Sequence, residues 1–156
     1  MKSPVRAYVV TENEFDKVLI QALLTRRFGR SAREVHVRAE DNKQYAWTTA
    51  DALLSNRRGP TALIVDADTI DHALTMEQQT ELETMFGTSA RRHMWLVVLA
   101  KPEVEAVFFS DRRLLERVTG KKVSELDIAR AAFRNGGACT VERFELLHFV
   151  AWAPEV

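Results

Sequence analysis

The stretch ALIVDADT, residues 62–69, runs from apolar and small residues into two aspartates, Asp66 and Asp68, with only Ala67 between them. Its nearly continuous apolar part is what a strand covered on both faces of a parallel sheet requires. Two like charges at the end of such a strand need something to offset their repulsion. The edge can stay solvated, be neutralised by Arg or Lys, or share a divalent cation. Mg²⁺ suits the last case, because it takes oxygen ligands and keeps several waters. Side chains one residue apart on a strand point to opposite faces. The two carboxylates therefore converge only if the backbone turns after Asp66. Otherwise one binds metal directly and the other acts through a water or a second metal.

Working outward, PVRAYVV (4–10) is rich in β-branched and aromatic residues and predicts a first strand. A helix follows in ENEFDKVLIQALLTRRFG, where Phe15, Val18, Leu19, Ala22 and Leu23 recur at three- and four-residue spacing and Gly29 punctuates the end. REVHVRA (33–39) alternates as a second strand, and residues 45–55 predict a helix stopped by Gly59-Pro60. TALIVDA (61–67) is the third strand, MEQQTELETMFG (76–87) a polar helix, and HMWLVVLA (93–100) the fourth strand. Further helices are expected at 102–120, in VSELDIARAAFRN and in TVERFELLHFVAW. Strands alternating with helices predict an α/β fold, a mostly parallel sheet of about four strands flanked by helices. Ligands in such folds bind beyond the carboxyl ends of the strands. That edge collects Glu12 and Glu14 after strand one, Asp66 and Asp68 after strand three, and Lys101, Glu103 and Glu105 after strand four.

The bulk composition fits one globular domain of 156 residues, with 46% hydrophobic and 28% charged residues. No apolar run reaches the roughly 18–20 residues that span a bilayer, and the N-terminus does not read as a secretion signal. A single cysteine, Cys139, excludes an internal disulfide and a cysteine-rich zinc site. A cytoplasmic protein is the expectation. Formal net charge is zero, which does not advertise a nucleic-acid binder. The charge is segregated, however. From Arg112 to Arg143 eight basic residues face four acidic ones, which makes either a solvated set of helix faces or a phosphate-tracking surface.

The strand-end acids carry a family resemblance. VVTENEFD at the end of strand one and IVDAD at the end of strand three together resemble the Toprim domain, the metal-dependent fold of topoisomerases, bacterial primases and overcoming-lysogenization-defect (OLD) nucleases. The family's first motif is an apolar strand, then Glu-Gly, then an acid at the helix start. Glu12, Asn13 and Asp16 stand at those positions, with Asn in place of Gly; Asn tolerates a positive φ better than most residues. The second motif, D-x-D, is matched by Asp66 and Asp68, without the glycine that often follows; Asp71 stands nearby. LAKPEVEAVFFSD resembles the P-E-x-E-a-aromatic segment of small bacterial Toprim-like proteins, with Glu103 and Glu105 as its acids. The resemblance covers roughly residues 4–112, and residues 113–156 form a helical extension of the same domain.

This resemblance implies a Mg²⁺- or Mn²⁺-dependent nuclease acting on DNA or RNA, in bacterial anti-phage defence, alongside an ABC-type ATPase. The chain has no G-x-x-x-x-G-K-[ST], so such an ATPase would be a separate protein. One metal would be held by Glu12 and Asp66 and a second by Asp68 with Glu103 or Glu105. Lys101 would either neutralise the transition-state phosphate or act as counter-ion to idle acids.

Three rival classes stay open. DADTI is similar to the D-x-D-x-T motif of haloacid-dehalogenase-like phosphatases, with the Thr one place early. Asp66 with Lys101-Pro102 is similar to receiver domains of two-component signalling. The third is a Toprim-like scaffold that has lost activity and binds a partner. His36, His72, His93 and His148 lack metal-site spacing. Cys139 reads as a small buried residue. Tyr45 and Trp47 either stack on bases or pack on the sheet. Phe149 and Trp152 belong to an apolar stripe that is either core or a homodimer face.

Overall fold

The computed structural model describes residues 5–101, 113, 116, 117, 120–122 and 124. Four strands form one sheet: β1 (Ala7–Thr11), β2 (Val35–Ala39), β3 (Thr61–Asp66) and β4 (Trp95–Ala100). Their spatial order is β2-β1-β3-β4, and every pairing is parallel. Three helices connect them: α1 (Glu14–Phe28), α2 (Lys43–Ser55) and α3 (His72–Ser89). The α/β architecture expected from the strand-helix alternation is present.

The two sheet faces have separate cores. Val9, Val35, Val37, Ile64 and Val98 pack with Ile20 and Leu24 of α1. Val10, Leu63, Val65, Val97 and Leu99 pack with Ala46, Ala50 and Leu54 of α2 and with Leu82 and Phe86 of α3. Alternate residues of one strand thus feed opposite layers, which is why β3 and β4 are buried at every position. The chain moves one way from β1 to β2, then reverses to reach β3 and β4. With right-handed crossovers, that reversal puts α1 on one face and α2 and α3 on the other. The reversal falls between β1 and β3, so the crevice at their carboxyl ends is the topological switch point.

Helix starts are set by side-chain caps. Asn13, Asn42 and Asp71 are the N-caps of α1, α2 and α3, and their side chains accept from the amides of Asp16, Tyr45 and Leu74. The Asp71 cap begins α3 at His72, four residues before the expected start at Met76, because the apolar pattern alone does not reveal a polar cap. At the other end of that connection, residues 92–94 form a short 3₁₀ turn, so β4 starts at Trp95. The Arg92 guanidinium lies 4.2 Å over the Trp95 ring, and Phe86 meets the same ring edge-on at 6.0 Å. Trp47 packs against the α2/α3 core, whereas Tyr45 is exposed. His36 is exposed and sits edge-on to Tyr8. No helix among the described residues is long and apolar enough to cross a membrane. The expected strand residue Pro4, most of the expected 102–120 helix and all of residues 125–156, with Cys139, His148, Phe149 and Trp152, lie outside the described residues.

Candidate metal centre

Beyond Thr11, strand β1 has run out, but β3 continues for two residues past Ile64, the last partner of β1. Glu12 fills the step. Its Oε1 accepts from the Asp66 backbone N–H at 3.3 Å, taking the place a strand carbonyl would occupy one rung further on. This draws the Glu12 carboxylate to the end of β3.

The chain then turns into α1. Asn13 has extended backbone, φ −155° and ψ 168°, so its role is capping and not the positive φ that the sequence suggested. Asn13 Oδ1 accepts from the Asp16 N–H at 2.9 Å, and Asn13 Nδ2 donates to Asp16 Oδ2 at 2.9 Å. This two-way clasp is related to the capping box, with the residue at the third helical position reaching the cap's side chain instead of its backbone. Asp16 is thereby held against the sheet, wholly buried. Thr11, also wholly buried, adds a hydrogen bond from Oγ1 to the Asn13 carbonyl at 3.1 Å, which fixes the turn.

Glu12, Asp16 and Asp66 consequently bring carboxylate oxygens within 4.8 Å of one another. Asp16 and Asp66 are buried and Glu12 is half-buried. Three oxygen donors at that separation, without imidazole or thiolate, can hold a hard divalent cation. The cluster lies at the switch point between β1 and β3, where the fold places its ligand crevice.

Of the acids expected at this edge, the structure brings Glu12 and Asp66 together and adds Asp16. The family resemblance places Asp16 in the first motif but not among the expected ligands. Its signal was the spacing from Asn13, a capping residue followed three places later by an acid. Asp68 is elsewhere. The backbone does turn after Asp66, with Asp68 at φ +54°, but the turn delivers its carboxylate to Lys43, the first residue of α2. The Asp68 side chain is 66% exposed. Glu14 is exposed and paired with Lys17. Lys101 directly follows Ala100, the register partner of Asp66, and so stands at the same edge, half-buried. Glu103 and Glu105 lie outside the described residues.

Comparison with protein-family models, curated proteins and solved structures found no match to this chain.

Proposed function

We propose that the chain is a Mg²⁺- or Mn²⁺-dependent phosphodiesterase of Toprim type, acting on nucleic acid. The observation that carries this is the convergence of Glu12, Asp16 and Asp66 within 4.8 Å at the switch point of the sheet. Unlike single exposed acids, which are common anywhere, these come from two strand ends and a helix start and are held by dedicated hydrogen bonds. All three would ligate the ion. When bound, such an ion polarises a phosphate oxygen and acidifies a water. The protein's own contribution is positional. The Asp66 amide orients Glu12, the Asn13 clasp orients Asp16, and Lys101 stands where its ammonium can neutralise charge building on the phosphate. Asp68, held by Lys43, is assigned to orienting the substrate side of the crevice or to a second ion with Glu103 and Glu105. A role in anti-phage defence with a separate ATPase rests on the family resemblance alone.

The test is incubation of purified protein with labelled plasmid, single-stranded DNA and structured RNA, in Mn²⁺ or in chelator. Loss of one metal carboxylate removes on the order of 3–5 kcal/mol of transition-state stabilisation, so Asp66→Ala and Asp16→Ala are each expected to slow cleavage by roughly 10²–10⁴. Cleavage that persists in chelator, or is unchanged in both variants, overturns the assignment. Stable phosphorylation of Asp66 by acetyl phosphate would instead make the crevice a receiver site.

A further inference from the structure

A second polar site lies near the opposite end of α1. A cleft of about 530 Å³ is lined by Arg26, Arg113, Glu116 and Arg117. Arg26 belongs to the last turn of α1, and Arg113, Glu116 and Arg117 are helical. This helical stretch ends where the Gly120 N–H donates to the Glu116 carbonyl at 2.9 Å, with Gly120 at φ +66°. The three arginines are exposed and Glu116 is half-buried.

Offsetting the negative end of α1 accounts for Arg26 by itself. It does not account for Arg113 and Arg117. These are four residues apart on a helix, a spacing at which like charges repel, and both line the cleft with a third guanidinium. Glu116 offsets one of the three charges. The surroundings add more of the same sign. Residues 26–33 hold four arginines and no acid, all four exposed, and Lys121 and Lys122 follow just beyond Gly120, also exposed. In a chain of zero net charge, a concave surface this basic is a site for a polyanion.

Its position fits the acidic centre. Arg26 lies ten residues beyond Asp16 on the same helix, which is about 15 Å along the axis. On duplex nucleic acid, about 15 Å spans roughly four base pairs. We propose that the cleft is a clamp for backbone phosphate, seating a nucleic acid roughly four base pairs from the phosphate presented to the acidic centre. This deepens the phosphodiesterase assignment and rests on it for the choice of polyanion.

Binding of a short fluorescent DNA duplex, its RNA counterpart and a single strand is measured in chelator across a salt series, so that no cleavage intervenes. Each phosphate contact contributes a slope of about 0.9 in log affinity against log salt on a duplex. Wild type should bind, and the combined variant R26Q/R113Q/R117Q should lose about two to three of that slope. R26K/R113K/R117K should retain it, and E116Q, which removes the offsetting charge, should bind more tightly than wild type. The four substituted positions are not core residues, and thermal melts of each variant establish that the fold is kept. If the triple glutamine variant melts early, E116Q alone decides. An unchanged slope in the triple variant, no tightening in E116Q, or no duplex binding by wild type overturns the clamp. Displacement of bound duplex by equimolar inorganic phosphate would mark a small-anion site and also overturn it. D66N must bind like wild type under these conditions. Normal binding with cleavage insensitive to Asp66 would defeat the catalytic assignment while leaving the clamp standing.

Discussion

Replacing Asp66 by Asn tests the metal centre without any substrate. At 4.8 Å, two carboxylates in an effective dielectric of about 20 repel by roughly 3.5 kcal/mol. Asp66 takes part in two such pairs, with Glu12 and with Asp16. Water around half-buried Glu12, and uptake of a proton by the cluster, reduce the sum to a realistic relief on the order of 1–3 kcal/mol. The Asn is nearly isosteric, and the Asp66 backbone N–H that holds Glu12 is untouched. In chelator, Asp66→Asn should therefore melt higher than wild type, by roughly 2–10 °C for a chain of this length. Divalent ion reverses the order. At a hundred times Kd, a ligand that binds only the native state adds about 2.7 kcal/mol. Wild type should gain roughly 5–10 °C with millimolar Mg²⁺ or Mn²⁺, and the variant, with one charged ligand fewer, little. Differential scanning fluorimetry of both proteins in both buffers gives the crossing. If metal leaves wild type unmoved while the variant is more stable everywhere, the acids are a strained cluster and not an ion site. If the variant is less stable in chelator, the repulsion at Asp66 is outweighed by what its carboxylate contributes to the fold, and the reasoning fails.

Three other outcomes are expected. Asn13→Gly keeps most of the helix cap, at a cost of a few tenths of a kcal/mol, but removes the clasp on Asp16. Metal affinity measured by calorimetry should fall about 10–100-fold with little change in chelator-state melting. Asp68→Asn loses only an exposed ion pair with Lys43, so stability should change by less than about 1 kcal/mol and the metal-induced melting shift should persist; its disappearance would make Asp68 a ligand. Protons compete with the ion for the same carboxylates, so the melting shift produced by metal should shrink as pH is lowered into the acidic range, and a shift independent of pH would point to other ligands.

The sheet was legible because its strands are written twice, in apolar continuity and in the breaks between them. VVT, LIV and LVV each feed two cores, and only a parallel sheet flanked by helices on both faces uses such runs. Glu12 and Asp66 were legible for the same reason, as strand ends are visible in sequence. Asp16 was harder, because its place depends on the phase of α1, and that phase is set by one hydrogen-bonded asparagine and not by any apolar pattern. Asp68 shows the opposite failure. The sequence spacing D-x-D implies a pair, but whether the pair converges depends on the backbone after Asp66. There a positive φ sends the second carboxylate to Lys43.

The hydrogen bond from the Asp66 amide to Glu12 has a spectroscopic use. This N–H belongs to the chain backbone, yet its acceptor is a carboxylate of the acidic centre. An ion drawing electron density from that carboxylate weakens it as an acceptor, and the amide proton registers the change as a shift in its resonance. In a ¹⁵N-labelled sample, one backbone cross-peak would then serve as an occupancy gauge. It would report the ion in the intact, unmodified protein, with neither substrate nor dye, and it would resolve filling of this site from binding anywhere else on the surface.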